Sequence, residues 1–320
     1  MKTIKLLFLL ASITMFSSCE KFYAESTNTD GYDENANVTI KVSNFIQSKF
    51  EKNETLTRSE DDSLSEEPAL EDNCTRLSFA IFNIEEKVKN INQSIGDDNF
   101  GTININLPNG TYRVVVIAHS GKGNCTISSP EKIKFYKNKM TDTFLYYGTL
   151  EVNEDEENKQ EINLSRAVAM IRIHINDDIP TNVKQLKFYY TGGSSTLDAT
   201  SALGCVNSRQ TENLNITAGQ KDYEVYTFPR EDSKTVKLTI TALDEVGTEV
   251  ASKVIEDIPV NKNHITTYSG NLFGDSGNGG SSSYDPKETT SGITFKFDPE
   301  WEGEEKNHCT DVVHDNHSGI

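Results

Sequence analysis

Short apolar strings that alternate with polar residues recur along most of this chain, and they constrain its fold more than any other feature. Val38, Ile40 and Val42 alternate with Thr39 and Lys41, and the same two-residue period returns in many later segments. This alternation is typical of strands that bury one face. No segment keeps a sustained helical period, and residues 85–93 are the best, though short, helical candidate. The sequence therefore predicts an all-β protein.

Turn signals between these strings indicate the type of β architecture. Pro108-Asn109-Gly110 is one such signal, and residues 112–117 after it form a nearly continuous apolar run that predicts a central strand. Many short strands separated by turns are typical of β-sandwiches. The 320 residues fit two of them. Since residues 166–175 look like a connection, we expect an N-terminal sandwich at 37–165 and a C-terminal sandwich at 166–273.

The N-terminus indicates export. Residues 1–18 combine a short basic start with an apolar run of signal-peptide length, too short to span a bilayer comfortably. The run ends in Phe16-Ser17-Ser18-Cys19, which resembles the lipobox of bacterial lipoproteins. This resemblance implies cleavage before Cys19 and lipid on its sulfur. Glu20 follows, and not the Asp that typically holds lipoproteins at the inner membrane, so we expect an outer-membrane lipoprotein.

Polar segments divide the rest of the chain. Residues 19–36 are interpreted as a tether, and the acidic residues 51–72 as a mobile loop. A Gly/Ser linker at 274–290 and a polar tail at 304–320 flank a last strand at 291–303. An isolated strand must pair with some sheet edge, so this strand either folds back onto its own domain or is donated to another molecule.

The cysteines leave two readings open. With Cys19 lipidated, four remain, and an even number in an exported protein permits disulfides. Cys74 and Cys125 share one half and similar surroundings, which favours that pair modestly. Unpaired buried cysteines are an equally good interpretation.

Catalytic and metal motifs are missing from the sequence. No phosphate-binding, zinc-protease or nucleophile-elbow motif occurs, and Gly192-Gly193-Ser194-Ser195 is better explained as a turn. The His- and Asp-containing residues 308–317 are best explained as a frayed tail. We predict no enzyme activity, no catalytic residues, no cofactor and no metal. The net charge of −18 argues against nucleic-acid partners because it repels phosphate backbones.

Several strings, in their order along the chain, resemble those of fimbrillin-family subunits, the type V pilus proteins of Gram-negative anaerobes and their lipid-linked anchor and minor subunits. They are residues 76–82, 107–116, 141–144, 164–170, 189–195 and 301–303. The resemblance covers most of residues 37–303 and implies two tandem transthyretin-like (Greek-key) β-sandwich domains that assemble by strand exchange.

In stalk subunits of that family, a protease cuts after a basic residue behind the first strand. The resemblance therefore implies Arg58 as a processing site and Val38 to Phe45 as the departing strand. It implies a donor strand with Ile293, Phe295 and Phe297, whose place in a neighbour satisfies exposed apolar surface and unpaired backbone. Anchor subunits keep both lipid and first strand.

We therefore expect an outer-membrane lipoprotein subunit of cell-surface fimbriae, with a structural, anchor or minor role. It would assemble with other fimbrial subunits and support adhesion to a host or bacterial surface receptor. The alternative is a surface glycan-binding lipoprotein built from tandem β-sandwiches. That function requires exposed aromatic platforms, for which Trp301 and Tyr189-Tyr190 give little support.

Overall fold

A computed structural model describes residues 31–33, 35–45, 69–84, 86–154 and 156–274, together with the backbone of 294–298. The first half contains the helix α1 (Leu70–Asn73) and the strands β1 (Val38–Phe45), β2 (Arg76–Phe82), β3 (Lys87–Ser94), β4 (Thr102–Ile105), β5 (Gly110–His119), β6 (Thr126–Ser129), β7 (Lys132–Lys134), β8 (Thr143–Val152) and β9 (Asn158–Arg166).

The second half contains β10 (Ala169–Ile175), β11 (Val183–Thr191), β12 (Thr196–Asp198), β13 (Leu203–Gly204), β14 (Arg209–Asn215), β15 (Asp222–Thr227), β16 (Thr235–Asp244), β17 (Glu249–Pro259), β18 (Ile265–Gly270) and β19 (Thr294–Asp298). The predicted all-β class is confirmed. Among the described residues, no helix is long and apolar enough to cross a membrane.

The first half is formed by one sheet that folds over into two layers. Its seven strands have the order β3-β2-β5-β8-β9-β1-β4. Only Phe144 and Leu145 of β8 pair with β9, so the sheet folds at this corner into two layers. The layers β3-β2-β5-β8 and β9-β1-β4 enclose one apolar core, to which β1, β2, β5 and β9 all contribute inward residues. Alternating apolar residues form these strands because each strand buries one face.

The second half repeats this order of strands. One layer is β14-β11-β16-β17, and the other is β15-β10-β18-β19. Each half has one parallel pair, which joins its first strand to a strand near its end: β1 pairs with β9, and β10 pairs with β18. All its other ladders are antiparallel. Apart from β19, each strand of the second sandwich has a counterpart in the first.

A third sheet joins the two halves. Its order is β13-β12-β7-β6, with β6 and β7 from the first half and β12 and β13 from the second. Thr196 and Leu197 of β12 pair with Lys134 and Ile133 of β7. An apolar cluster lies beneath this sheet and includes Leu145 from the first half and Phe228 from the second.

This shared cluster explains the continuous apolar run in β5. Val114 and Val116 face the core of the first half, while Val115 and Ile117 face the cluster shared with the second half. A strand buried on both faces has no reason to alternate. The prediction of a central strand at 112–117 is therefore confirmed.

The predicted helix at residues 85–93 is wrong, because these residues form most of β3. Val88 and Ile91, three residues apart, both pack on the first core, a spacing that resembles one face of a helix. The register against β2 shifts between Ile81 and Phe82, which indicates a β-bulge beside Val88. Because a bulge adds one residue to a strand, it brings residues of odd spacing onto one face. The end of the predicted acidic loop, residues 70–72, belongs to α1.

Candidate functional site

The first strand is the part of the first sandwich that the sequence marked for strand exchange. β1 lies between two partners, with β9 parallel on one side and β4 antiparallel on the other. Val38, Ile40, Val42 and Phe45 are at most 7% exposed and point into the first core. Phe45 packs edge-on against Phe144, with ring centroids 4.6 Å apart. The backbone of β1 thus completes the sheet, and its side chains complete the core.

Amide side chains fix the position where β1 begins. Asn37 Nδ2 donates to the Leu107 carbonyl at 2.8 Å, and the Leu107 N–H donates to Asn37 Oδ1 at 2.9 Å. Asn158 Nδ2 donates to the Asn37 carbonyl at 3.1 Å. These bonds satisfy backbone groups of a loop and set the register of β1 against its neighbours.

The last strand lies on the edge of the second sandwich. β19 pairs antiparallel with β18, with Phe295 opposite Tyr268 and Phe297 opposite Thr266. Without β19, one side of β18 would have no hydrogen-bonded neighbour among the described strands. Ile293, the third residue assigned to a donor strand, lies outside the described residues.

A buried ion pair lies where the two halves meet. Arg166, 7% exposed, donates to both carboxylate oxygens of Asp142, at 2.8 and 3.0 Å. Its Nη1 donates to Asn263 Oδ1 at 3.0 Å, and its guanidinium lies 4.7 Å from the centre of the Phe144 ring. Asp142 belongs to the first half and Asn263 to the second, so Arg166 ties the halves together. The geometry is the bidentate one that guanidinium and carboxylate favour.

A second ion pair crosses the same boundary. Lys139 of the first half contacts Glu212 of β14 at 2.8 Å, and it also donates to the Thr211 carbonyl. Burial raises the pKa of Glu212, and the Lys139 amine opposes that rise. Sequence reasoning missed both pairs. Arg166 nevertheless carries a signal, since its charge directly precedes the apolar run of residues 167–171.

The predicted pairing of Cys74 and Cys125 stays a prediction. Both residues are buried, Cys74 in the core of the first half and Cys125 in the cluster between the halves. They therefore lie in different apolar environments. Burial raises the pKa of the Cys74 thiol to about 12, which keeps it protonated.

Two predicted sites lie outside the described residues: Cys19, the lipidation site, and Arg58, the processing site. The 308–317 segment lies outside them as well. Within the described residues, no group of three or more metal-binding side chains comes together.

The Gly-Gly-Ser-Ser string is a packed turn between β11 and β12. Ser194 is fully buried, and its Oγ donates to the Thr196 carbonyl at 2.7 Å. Gly193 lies so close to Thr227 that a Cβ there would be 2.0 Å from Oγ1. A serine without access to solvent, held in an internal hydrogen bond, is a structural group.

Comparisons with known proteins identify the family. The family model described as fimbrillin-A associated anchor proteins Mfa1 and Mfa2 matches residues 29–301. No curated protein sequence gives a significant match.

Solved structures of bacterial proteins give matches of low identity. The chain is similar to the tip fimbrial protein Mfa3 from Porphyromonas gingivalis, with 11% identity and a TM-score of 0.39 over 82% of this chain and 98% of that one. It is also similar to a proposed polysaccharide-binding protein from Bacteroides thetaiotaomicron, with 9% identity and a TM-score of 0.45 over 73% and 91%. A proposed adhesin from Bacteroides ovatus shows 7% identity and a TM-score of 0.45 over 72% and 88%.

The family match covers both sandwiches, the strands β1 and β19, and the junction between the halves. Its members are structural proteins of cell-surface fimbriae that associate with other fimbrial subunits, and they are not enzymes. This chain belongs to the family of fimbrillin-A associated anchor proteins.

Proposed function

We propose that this chain is a lipid-anchored outer-membrane subunit of fimbriae that joins neighbouring subunits by β-strand exchange and supports adhesion. The observation that carries the proposal is the position of β1 between β4 and β9. If β1 left, both neighbours would expose unpaired backbone groups, and the first core would be open to water. Such a groove binds an extended segment through backbone hydrogen bonds and alternating side-chain pockets.

The energy of such an exchange is supplied by four buried apolar side chains. Val38, Ile40, Val42 and Phe45 each contribute about 1.5–3 kcal/mol of burial. An open groove is therefore costly, and an incoming strand of matched pattern would recover much of that energy. Residues 291–303 carry such a pattern, since Ile293, Phe295 and Phe297 alternate with polar residues as the β1 residues do.

The length of the segment between β18 and β19 supports donation of the last strand. Two- to five-residue loops are sufficient to join antiparallel neighbours. Here residues 271–293 separate the two strands, and this excess gives the last strand the reach to pair with another copy.

Two N-terminal positions distinguish an anchor from a polymerising subunit. In the anchor role, Cys19 carries lipid and β1 stays in place, so the chain takes part in exchange only by donating residues 291–303. In the stalk role, cleavage after Arg58 removes Cys19 together with β1. The family description favours the anchor role.

N-terminal sequencing of the protein from cells tests this choice. We expect a blocked N-terminus at a lipidated Cys19, with detergent-phase partitioning that Cys19→Ser abolishes and the control Cys205→Ser preserves. A mature start at Ser59, lost in Arg58→Ala but retained in the control Lys52→Ala, would contradict the anchor role and support cleavage.

Deletion of residues 291–303 tests strand exchange itself. We expect the variant to fold, as shown by an unchanged far-UV circular dichroism spectrum, but to lose the high-mass ladders on gels of unboiled samples. Deletion of the tail at 304–320 is the matched control and should leave the ladders intact. Ladders that survive the first deletion would refute donation of this strand.

A further inference from the structure

A basic surface lies on the third sheet of this acidic chain. Residues 122–139 contain five lysines and one acidic residue, whereas the whole chain has 49 acidic residues against 31 lysines and arginines. Lys139 contacts Glu212, and the acidic residue, Glu131, contacts Arg113. The other four lysines are exposed and make no ion pair with any described residue, and we call them the lysine face: Lys122, Lys132, Lys134 and Lys137.

A buried apolar residue directs two of these lysines outward. Lys132 and Lys134 flank Ile133 in β7, and Ile133 is fully buried in the cluster beneath the third sheet. Since successive side chains of a strand point to opposite faces, both amines project into solvent. Thr126 of β6 lies directly opposite Lys134 and is exposed on the same face. This part of the lysine face is therefore built on regular sheet.

The turn after β7 extends this surface. Tyr136 is half exposed, and the Lys137 amine lies 5.2 Å from the centre of its ring. A Cβ on Gly123 would be 2.8 Å from Cγ of Tyr136, so the loop that carries Lys122 packs against the same ring. Lys137 and Asn138 both have a left-handed backbone, with φ of 53° and 55°. This conformation is costly for a lysine, so the turn keeps strain where it presents the amine to solvent.

The exposed groups of this surface are hydrophilic. Within residues 120–139, the apolar side chains other than Tyr136 are buried. Stable protein interfaces depend on apolar and aromatic anchors in a buried centre, and this surface offers only Tyr136. A sugar polymer with repeated negative charges needs no such centre, because its charged groups pair with amines and its hydroxyls with other polar groups.

We propose that the lysine face binds an acidic polysaccharide. Its carboxylate or sulfate groups would accept charge-assisted hydrogen bonds from the lysine amines, while Thr126 and Asn138 supply polar contacts for the sugar hydroxyls. This inference rests on the proposed function, since it names the chemical class of the receptor to which the subunit would adhere.

The lysine face lies away from the strand that we propose to exchange. The third sheet covers the outer surface of the layer β3-β2-β5-β8, which contributes Val115 and Ile117 to the shared cluster, whereas β1 belongs to the other layer. A bound polysaccharide and an exchanging β1 would therefore use opposite sides of the first sandwich.

Binding of the purified full chain to immobilised chondroitin sulfate, measured by biolayer interferometry, tests the proposal. Lys132→Glu together with Lys134→Glu should weaken binding at least about tenfold, because two attractive charge contacts become repulsive. Lys132→Gln together with Lys134→Gln should cause a smaller loss in the same direction. Thermal unfolding of each variant, expected to match that of the unaltered chain, separates lost binding from misfolding.

The matched control is Lys184→Glu together with Lys187→Glu, which makes the same change in net charge at two exposed positions of β11. It should change the affinity less than about threefold, the range of ordinary surface substitutions. Equal weakening by the two charge-reversed variants would overturn the assignment, because it would show that net charge alone matters.

Further probes define the class of ligand. Neutral dextran should not bind, and added salt should weaken binding to chondroitin sulfate because exposed charges are screened. Tighter binding of polyglutamate than of chondroitin sulfate would overturn the proposal, since it would identify an acidic protein segment as the partner.

The binding assay and the ladder assay separate this inference from the proposed function. Ladder formation by a chain that does not bind chondroitin sulfate would overturn the role of the lysine face alone. Binding by a chain whose ladders survive deletion of residues 291–303 would overturn strand exchange alone.

Discussion

The two sandwiches share one order of strands but differ in how their first and last strands are held. In the first half, β8 pairs with β9 and closes the edge, while β1 connects on both sides to long polar segments. In the second half, the first strand β10 follows β9 after only Ala167 and Val168, and the edge beside β18 is covered by β19. The first sandwich thus closes its edge by pairing β8 with β9, whereas the second sandwich adds the strand β19 at the corresponding edge.

This difference bears on two requirements of the proposed strand exchange: a strand with long connections, and a body that stays folded when the strand leaves. A strand that enters and leaves the fold has to be joined to the rest by long connections, and β1 meets this condition while β10 does not. A stable body has to remain when that strand leaves, and the second sandwich, with β10 held between β15 and β18, meets that condition. The shared sheet and Arg166 connect the second half to the first half, for which we propose strand exchange.

The largest effect expected is the loss of this connection. Arg166→Ala removes the bidentate contact to Asp142 and the bond to Asn263, leaving a partly buried carboxylate without its partner. We expect a loss of about 3–5 kcal/mol in unfolding free energy and two separate thermal transitions where the unaltered chain has one. Calorimetry measures both.

The control for Arg166 is Lys237→Ala, which breaks the exposed Lys237–Glu256 pair within the second half. Its cost should stay below about 1 kcal/mol, with one transition retained. A single transition in Arg166→Ala would show that the apolar cluster alone couples the two halves.

Equivalent core positions in the two first strands sharpen the comparison. Ile40 of β1 and Ile171 of β10 are both fully buried, so substitution by Ala should cost about 2–5 kcal/mol at either position in urea unfolding. Only Ile40→Ala loosens the strand for which we propose exchange. We therefore expect this variant to bind a labelled peptide of residues 291–303 more tightly than Ile171→Ala does, as measured by fluorescence anisotropy.

Equal peptide binding by both variants would break the proposed division between an exchangeable and a stable half. A scrambled peptide of the same composition is the control for nonspecific binding to exposed apolar surface.

Acid should weaken the first half selectively, because His119 is buried at the end of β5. Burial, assisted by the nearby Arg76 charge, lowers its pKa from 6.5 to about 4. Its Nδ1 accepts the Gly121 N–H at 3.0 Å. Since the unfolded chain takes up this proton first, stability falls as the pH drops from about 6.5 to about 4. The largest possible contribution is about 3 kcal/mol.

Urea unfolding between pH 7 and pH 4 measures this dependence. His119→Gln should show a flatter profile than the unaltered chain in this window. An unchanged slope in His119→Gln would assign the acid sensitivity to other groups.

The smallest effect is expected at the second ion pair across the junction. Lys139→Met removes the contact with Glu212 but keeps most of the apolar stem, and Lys139 is half exposed. We expect a cost of no more than about 1 kcal/mol and no separation of the thermal transitions. A larger cost would show that the junction depends on both pairs rather than mainly on Arg166.

Much of the fold could be predicted because strand formation depends on local pattern. Alternation in β1, β4 and β16 indicated half-buried strands, and the uninterrupted run in β5 indicated a central one. The pattern failed at Val88 and Ile91, because a bulge changes the alternation and depends on the partner strand. Sequence patterns likewise do not tell which buried environment a residue joins: Cys74 lies in the first core, while Cys125 lies in the cluster between the halves.

The two strands for which we propose exchange were identifiable for the same local reason, while their partners in the sheets were not. The alternation of Val38, Ile40 and Val42 and that of Ile293, Phe295 and Phe297 are visible in the sequence. The pairing of β1 with β9 and of β19 with β18 joins residues far apart in the chain, which a local pattern does not specify.

By itself, the sequence determined the all-β class, because burial of one strand face requires a two-residue period. Only the tertiary structure decided that β8 pairs with β9 in the first sandwich while β18 pairs with β19 in the second, and that Arg166 joins the two halves. These features depend on how two sheets pack and on which distant groups meet in a buried setting, where a charge is tolerated only with its partner.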